Sequence, residues 1–212
     1  MAEAPQAKAD VYDVIPYPAL SFVQTHPSRM AVAARLFGLD PAPVGRCRVL
    51  EIGCATGSNL IPMAEVLPAS EFVGIDRSAV EIAGAREGLA ASGVANVRFE
   101  CMDLCDLDDS FGQFDYIVAH GVYSWIPFDV RDRLMEVCKE RLAPNGICYI
   151  SYNTYPGWYH LRPIREALLY RVRDEDTAGE KLTSAVAFLD LMGRFAEGGA
   201  NHDLAYLDWF QT

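Results

Sequence analysis

From residue 47 onward, short apolar runs alternate with longer amphipathic stretches. The runs are rich in β-branched and aromatic residues, which is typical of strands buried on both faces of a parallel sheet, and the stretches between them have the length of crossover helices. The five predicted strands are residues 47–52, 71–76, 97–100, 114–119 and 146–152. We therefore predict an α/β domain with a mostly parallel sheet and helices on both faces.

Polar and proline positions next to the apolar runs indicate where the helices begin and end. Ser28 is predicted to cap a short helix over residues 28–37. Two pairs have the spacing of a capping box, in which a hydroxyl and a glutamate accept each other's backbone N–H groups. The pairs are Ser78 with Glu81 and Thr177 with Glu180. Pro127 is expected at the start of the next helix, and Pro144 and Gly146 are expected to end it before the fifth strand.

The 212 residues, 51% of them hydrophobic, suit one compact α/β domain with some additional helix. No stretch of about 18 apolar residues is free of charge, and the first residues lack the basic and apolar regions of a signal peptide. With 29 acidic and 18 basic residues the net charge is −11, which repels nucleic-acid phosphates and anionic lipids. We expect a cytoplasmic location, no membrane association and no nucleic-acid partner.

The cysteines and histidines lack the spacing of a metal site. None of the six cysteines forms a CxxC pair, and the four histidines are far apart, so no metal is predicted. Reduced thiols are usual in the cytosol, and Cys101 and Cys105 are interpreted as two free thiols on a strand end and its loop.

A turn of small residues joins the first predicted strand to the next helix. Glycine lets the backbone come close to a ligand, and ligands of open parallel sheets bind at the carboxyl ends of the strands, where the strand order reverses. That point is expected between the first and fourth strands. The residues of this turn that are predicted to bind a cofactor are Glu51, Gly53, Cys54, Ala55 and Gly57.

The charge of Glu51 indicates which cofactor this turn accepts. A dinucleotide pyrophosphate would meet this carboxylate at close range, and like charges there are unfavourable. S-adenosylmethionine instead carries an ammonium and a sulfonium group, which a carboxylate stabilises. The glycines also miss the spacing of the dinucleotide fingerprint GxGxxG, and no phosphate-binding P-loop is present. We therefore predict S-adenosylmethionine, with S-adenosylhomocysteine as its product, rather than NAD.

Acidic residues also follow the second and third strands. Asp76 can accept hydrogen bonds from both ribose hydroxyls, or it can simply belong to the first turn of the next helix. Asp103 can accept from the adenine amino group while Met102 or Leu104 covers the ring, or it can be part of an ordinary acidic loop. The candidate cofactor contacts here are Asp76, Arg77, Met102, Asp103 and Leu104.

A histidine and two aromatic residues follow the fourth strand, near the expected position of the methyl group. His120 is a candidate general base, but its carbonyl can equally serve the ligand ammonium while the ring packs, so no catalytic residue is assigned. Tyr123 and Trp125 can form an aromatic wall that favours a cation or a lysine stem. They can equally be ordinary packing beneath the helix that begins at Pro127.

Taken as a set, these residues resemble the class I S-adenosylmethionine-dependent methyltransferase family over residues 45–152. In that family the acid and glycines of the first motif hold the methionine part, the acid after strand two holds ribose and the acid after strand three holds adenine. The resemblance implies these roles for Glu51 with Gly53 and Gly57, for Asp76 and for Asp103. The fold that it implies is a Rossmann-like three-layer sandwich with a mostly parallel sheet of order 3-2-1-4-5.

Three further segments resemble methyltransferases that carry a methyltransferase regulatory domain. They are Tyr17-Pro18 with Gln24-Thr25-His26-Pro27, residues 120–127 and residues 152–158. Some relatives of that group, including rickettsial outer-membrane-protein lysine methyltransferases, methylate protein lysines, and these relatives are longer than this chain. Class I methyltransferases usually end in an antiparallel strand pair, but no strand is evident after residue 152. We therefore predict that the pair is missing, either because the chain is part of a longer protein or because helices in residues 153–212 replace the pair.

These expectations divide the chain into three parts. Residues 1–45 are predicted to form an arm and a helix over the cofactor site, residues 46–160 the cofactor-binding domain and residues 161–212 a helical extension. The expected activity is methyl transfer to an unidentified acceptor, either a protein, with lysine as the candidate residue, or a small molecule. The remaining alternative is a non-catalytic module that binds S-adenosylmethionine and forms a homodimer across the exposed edge of strand five.

Overall fold

The computed structural model describes residues 18–198, apart from the side chains of residues 195–198. These residues belong to two compact units that divide after Tyr152. The predicted arm before Pro18, with Tyr17 of the Tyr-Pro pair, and the end of the predicted extension after Gly198 lie outside the described residues. All the candidate site residues lie in the first unit.

The first unit is built on a five-stranded sheet in which every pair of neighbouring strands is parallel. The strands are β1 (Arg48–Ile52), β2 (Glu71–Asp76), β3 (Val97–Cys101), β4 (Phe114–Ala119) and β5 (Leu142–Ile150). Their order is β3-β2-β1-β4-β5, so the strand order reverses between β1 and β4. The predicted Rossmann-like fold and strand order are confirmed, and a ligand-binding crevice is expected at this reversal.

Helices cover both faces of the sheet because successive side chains of a strand point to opposite faces. The helices of the first unit are α1 (Pro27–Leu36), α2 (Leu60–Val66), α3 (Ala79–Ser92) and α4 (Phe128–Arg141). On one face, Val49 and Phe72 pack with residues of α1, α2 and α3. On the other face, Leu50 and Val73 pack with residues of α4. The sheet is therefore the middle layer of three.

The fifth strand departs from its prediction. β2 and β4 have the predicted bounds, whereas β5 begins at Leu142 rather than at residue 146 and ends two residues early. Phe114 of β4 pairs with Leu142, but Tyr116 pairs with Ile147, so the chain between the two paired parts of β5 bulges, with Asn145 at φ +62°. The predicted Pro-Asn-Gly turn therefore lies inside the strand and not at the end of α4, because β4 pairs with the chain on both sides of it.

The first helix also begins differently from its prediction. α1 begins at Pro27, and it is capped by the ring nitrogen of His26, which accepts the backbone N–H of Ser28 at 3.2 Å. Proline is favoured at the first helical position because the N–H that it lacks would have no helical partner there. The predicted cap at Ser28 is therefore wrong.

The other boundary predictions are confirmed in full or in part. The hydroxyl of Ser78 accepts the N–H of Glu81 at 3.2 Å at the start of α3, but the Ser78 N–H donates to Asp76 at 3.0 Å, so the first capping box is confirmed only in its hydroxyl half. Pro127 directly precedes α4. Thr177 and Glu180 form a reciprocal capping box, in which the Thr177 N–H donates to the Glu180 carboxylate at 3.0 Å and the Glu180 N–H donates to the Thr177 hydroxyl at 3.2 Å.

The second unit is helical over its described part, residues 153–198. A short 3-10 turn leads into α5 (Arg162–Arg171), and α6 (Ala178–Gly198) follows. Within residues 18–198 no strand follows β5, so its outer edge pairs with no other strand of the described chain. No helix of this range is long and apolar enough to cross a membrane.

Candidate functional site

The turn between β1 and α2 lies against the end of β2. The N–H groups of Gly53 and Cys54 both donate to the carbonyl of Ile75, at 2.8 and 3.1 Å. Gly53, Ala55 and Gly57 have φ values of +73°, +44° and +71°, in the left-handed region that favours glycine. The turn therefore winds tightly across the carboxyl ends of β1 and β2, and the Cys54 side chain is buried within it.

The ring of Phe99, on β3, fills the space beside Gly57. A Cβ at position 57 would lie 2.7 Å from Cε1 of this ring and closer still to Cζ. A Cβ at Gly74 of β2 would lie 2.7 Å from Cδ1 of the same ring. One buried ring therefore occupies the gaps left by two glycines, and protein packing as well as backbone conformation requires the glycine at position 57.

Asp76 joins the turn to the beginning of α3. One carboxylate oxygen accepts the N–H of Ala55 at 2.9 Å, and the other accepts the N–H of Ser78 at 3.0 Å. Each oxygen of a carboxylate has a second lone pair, so the group keeps acceptor capacity for ligand hydroxyls. Asp76 therefore contacts the start of α3, which was one of its two predicted roles, and it keeps the acceptor capacity for the other, which is ribose binding. The neighbouring Arg77 is exposed.

Glu51 carries a buried carboxyl group that receives one hydrogen bond from the described residues. It lies on β1 and is 4% exposed. Oε1 accepts from Nδ2 of Asn59 at 2.7 Å, whereas Oε2 is buried with no hydrogen-bond partner among residues 18–198. Burial raises the pKa of Glu51 from 4.5 to about 8; the Asn59 hydrogen bond opposes this rise, and the charge of Asp76 adds to it.

Replacing Glu51 by glutamine is expected to remove a pH dependence of stability. A carboxyl group whose pKa is raised by folding keeps its proton in the folded state after the unfolded chain has lost it, so the free energy of unfolding falls as the pH rises from 4.5 to about 8. Urea unfolding of Glu51→Gln across this range should therefore give a flatter profile. An unchanged profile would contradict the assignment of the pH dependence to Glu51.

Glu71→Gln is the matched control for this measurement. The hydrogen bond from Arg48 lowers the pKa of Glu71, so the stability that this group contributes is lost only as the pH falls below its ordinary value of 4.5. The profile of Glu71→Gln between pH 4.5 and about 8 should therefore follow that of the parent.

The loop after β3 lies next to the end of β2. The N–H of Met102 donates to the carbonyl of Asp76 at 2.9 Å. Asp103 is exposed, and its Oδ1 accepts the N–H of Cys105 at 2.9 Å, which caps a short 3-10 turn. Met102 and Leu104 pack against the core between the sheet and α4. Asp103 therefore stabilises its own loop, as expected of an ordinary acidic loop. Its carboxylate still has lone pairs that can accept a hydrogen bond from the adenine amino group.

The ring of His120, which follows β4, packs between two aromatic rings. The ring centroids of Phe22 and Tyr149 lie 4.0 and 5.8 Å from that of His120. Its Nδ1 is buried with no hydrogen-bond partner among the described residues. Burial lowers the pKa of His120, which favours the neutral ring at physiological pH.

The two aromatic residues further along this segment have different surroundings. The ring of Tyr123 lies 5.9 Å from that of Tyr152, and the guanidinium of Arg131 lies 5.2 Å from the Tyr123 centroid. Trp125 is 59% exposed. A cation of the chain itself therefore already contacts Tyr123, whereas Trp125 presents an aromatic surface to solvent.

The structure brings the candidate cofactor residues to one edge of the sheet. Backbone hydrogen bonds to the Ile75 and Asp76 carbonyls connect the turn after β1 and the loop after β3 to the end of β2. His120 follows β4, which is the neighbour of β1 on the other side. The candidates therefore surround the carboxyl ends of four adjacent strands, with Arg77 and Asp103 at exposed positions.

Three residues that the sequence did not assign to the site contact it. Asn59 donates to Glu51, Thr25 accepts from Asn59 at 3.0 Å, and Phe22 packs against His120. Thr25 stands in the Gln-Thr-His-Pro segment singled out in the sequence, whereas Asn59 stands two residues after the last glycine of the turn. No local pattern predicts their pairing, because 34 positions separate them.

The cysteines form no disulfide. All six are free thiols, and Cys101 and Cys105 are both exposed. Within residues 18–198, no three His, Cys, Asp or Glu side chains lie close enough together to hold a metal ion.

Known proteins are similar to this chain in sequence. A family model described as a methyltransferase domain matches residues 50–148. Uncharacterized protein RP028 of Rickettsia prowazekii is 40% identical over 178 residues, which cover 84% of this chain and 71% of that protein. Uncharacterized protein RP789 of the same organism is 46% identical over 159 residues, which cover 75% of this chain and 29% of that protein.

A solved structure is similar in fold as well. PKMT2 from Rickettsia typhi, in complex with AdoHcy, has a TM-score of 0.75 and 36% identity, over 91% of this chain and 37% of that chain. This chain therefore spans much less than half the length of PKMT2 and of RP789. The narrower resemblance to methyltransferases with a regulatory domain stays a prediction. The strand order, the acids at the strand ends, the methyltransferase-domain match and these relatives together show that the chain belongs to the class I S-adenosylmethionine-dependent methyltransferase family.

Proposed function

We propose that this chain binds S-adenosylmethionine at the carboxyl ends of its strands and transfers the methyl group to an amine of another protein. The Glu51 carboxyl group is the observation that carries the proposal. Near neutral pH the raised pKa keeps Glu51 protonated in the chain alone, and its ionisation calls for a nearby positive charge, whereas the described residues give it one neutral donor to one of its two oxygens. The ammonium group of S-adenosylmethionine supplies this positive charge beside Oε2 of Glu51.

The proposed contacts follow the strand ends in order. Glu51 holds the ammonium group, Asp76 the ribose hydroxyls and Asp103 the adenine amino group, while Met102 and Leu104 lie against the adenine ring. The whole proposed cofactor site consists of Glu51, Gly53, Cys54, Ala55, Gly57, Asp76, Arg77, Met102, Asp103, Leu104 and His120.

The chemistry places modest demands on the protein. When bound, S-adenosylmethionine supplies a methyl carbon on a cationic sulfur, which an amine nitrogen attacks in line as the carbon–sulfur bond breaks. The residues of this chain then contribute proximity and orientation. Glu51 and Asp76 anchor two different parts of the ligand, and both belong to strands of the buried sheet, which holds binding groups more rigidly than loops do.

A protein lysine is the proposed acceptor. The net charge of −11 favours association with a cationic partner. The same class of substrate is supported by the similarity to PKMT2. It is also supported by the resemblance of the Tyr-Pro, Gln-Thr-His-Pro and Tyr-Ser-Trp-Ile-Pro segments to methyltransferases with a regulatory domain, some relatives of which methylate protein lysines. The exposed face of Trp125 offers a surface that attracts an ammonium group.

The test combines a binding measurement with a transfer measurement. The chain is titrated with S-adenosylhomocysteine by calorimetry, and is then incubated with S-adenosylmethionine and two sets of acceptors, lysine-rich proteins and small metabolites. We expect saturable binding, with mass spectrometry detecting methyl groups on protein lysines. Methylation of metabolites alone would favour a small-molecule methyltransferase, and binding without transfer to either set would favour a non-catalytic module. A folded chain that binds no S-adenosylhomocysteine would contradict the proposal.

A further inference from the structure

Asn59 uses all the polar atoms of its side chain to connect separate segments of the first unit. Its Nδ2 donates to Oε1 of Glu51 at 2.7 Å and to Oγ1 of Thr25 at 3.0 Å, and its Oδ1 accepts the backbone N–H of Phe22 at 2.9 Å. The side chain is buried. A rotated amide would place its NH2 group against the Phe22 N–H, so these partners require the orientation that is observed.

Residues 21–25 contact the chain on both sides of the strand reversal between β1 and β4. On the β1 side, the hydroxyl of Ser21 donates to the carbonyl of Ser58 at 2.7 Å. On the β4 side, the ring of Phe22 lies 4.0 Å from that of His120. The segment is therefore attached at the two strand ends between which the cofactor is proposed to bind.

Asn59 orients Glu51 but does not neutralise it. The amide is an uncharged donor, and the charge that acts on Glu51 from β2, that of Asp76, is negative. The hydrogen bond to Oε1 fixes the rotation of the carboxyl group, and this fixes the position of the unpartnered Oε2 as well. The described chain thus supplies an oriented carboxyl group that lacks a cation.

We infer that Asn59 is a positioning residue for the amino-acid end of the cofactor, an inference that rests on the proposed function. One amide holds Glu51 with Oε2 left for the ligand ammonium, and the same amide holds residues 21–25 beside it. Attachment of this segment and binding of the ammonium group are therefore coupled through a single side chain. The nucleoside end of the ligand, which contacts β2 and β3, is independent of this coupling.

The test compares two ligands that differ at the end in question. S-adenosylhomocysteine carries the amino-acid group, and methylthioadenosine has the same nucleoside and thioether without it. Because a hydrogen bond to a charged group is worth roughly 1.5–3 kcal/mol, Asn59→Leu should weaken S-adenosylhomocysteine binding by about tenfold or more and methylthioadenosine binding by less than about twofold. In a Glu51→Gln background the same change should cause no further loss, since the group that it positions is gone.

Two variants accompany Asn59→Leu. Asn96→Leu is the matched control, because Asn96 donates to the carbonyls of Ala64, Leu67 and Ser70 next to the amino ends of β2 and β3, at the opposite edge of the sheet from the proposed site. It should lower the melting temperature and leave both affinities unchanged. Thr25→Val keeps the shape of the side chain but removes one acceptor of the Asn59 amide. This variant tests the positioning role of Asn59 if Asn59→Leu does not fold.

The outcomes separate this inference from the proposed function. If the parent chain binds no S-adenosylhomocysteine, the proposed function itself fails. If the parent binds and Asn59→Leu or Thr25→Val selectively weakens the ligand that carries the ammonium group, the inference is supported. Equal losses for the two ligands, or no loss for either, would overturn it and leave Asn59 with a purely structural role.

Discussion

Gly57→Ala is expected to lower the free energy of unfolding by roughly 2–5 kcal/mol. The backbone at this position has φ +71°, which costs a residue with a Cβ about 1–2 kcal/mol. The new Cβ would also overlap the buried Phe99 ring, and overpacking of a core adds roughly 1–3 kcal/mol. Urea unfolding measures the loss as a lower midpoint with an unchanged slope.

Gly93→Ala isolates the backbone part of this effect. Gly93 has the same φ of +71° at the end of α3, but a Cβ there meets no atom within 4 Å. We expect a loss of about 1–2 kcal/mol for this variant. Phe99→Leu in the Gly57→Ala background should recover part of the larger loss, because it clears the space that the new methyl group needs. Equal losses for the two glycine variants would show that the Phe99 ring does not restrict position 57.

Asp76→Ala is expected to weaken binding of S-adenosylhomocysteine by about a hundredfold or more. The substitution removes the proposed ribose acceptors, and it also leaves the N–H groups of Ala55 and Ser78 without their present acceptor. The turn and the start of α3 then lose the side chain that joins them. Calorimetric titration of the folded variant is the measurement.

Two other aspartates provide graded controls for this variant. Asp103→Ala should weaken binding by about tenfold, because it removes one proposed ligand contact and one hydrogen bond within its own loop. Asp108→Ala removes two loop hydrogen bonds outside the proposed site, from the N–H and the hydroxyl of Ser110, and should leave the affinity unchanged. If Asp76→Ala bound as tightly as Asp108→Ala, the proposed cofactor site would be wrong.

Much of the fold follows from patterns that are local in sequence. The apolar runs predict β2 and β4 with their observed bounds, because strands buried on both faces contrast sharply with the polar residues at their ends. The bulge in β5 could not be predicted in this way. It results from pairing with β4, because Phe114 and Tyr116 are two positions apart whereas their partners Leu142 and Ile147 are five positions apart. Such a register shift has no signature within either strand alone.

In the candidate site too, some features were predictable from local sequence and others were not. Acids at strand ends are visible in the sequence, and the structure brings Glu51 and Asp76 to one edge of the sheet. The helix-start contact of Asp76 was one of two alternatives in the sequence. The other contacts of these acids within the protein were not predicted, because they involve a backbone N–H group, which nearly every residue carries, and an amide whose partners lie far away in the chain. The contact of Asn59 with Phe22 joins residues 37 positions apart.

The position of the Phe99 ring restricts how this turn can evolve. The ring belongs to β3, yet it occupies the gaps at Gly74 of β2 and at Gly57 of the turn, and a Cβ at Gly74 would also lie 2.8 Å from the sulfur of Cys54. A larger side chain at either glycine is acceptable only after the ring has become smaller, and a smaller ring first leaves a cavity. Single substitutions at Gly57, Gly74 or Phe99 therefore destabilise the fold. Homologous sequences should either conserve these residues or substitute a glycine and the phenylalanine together.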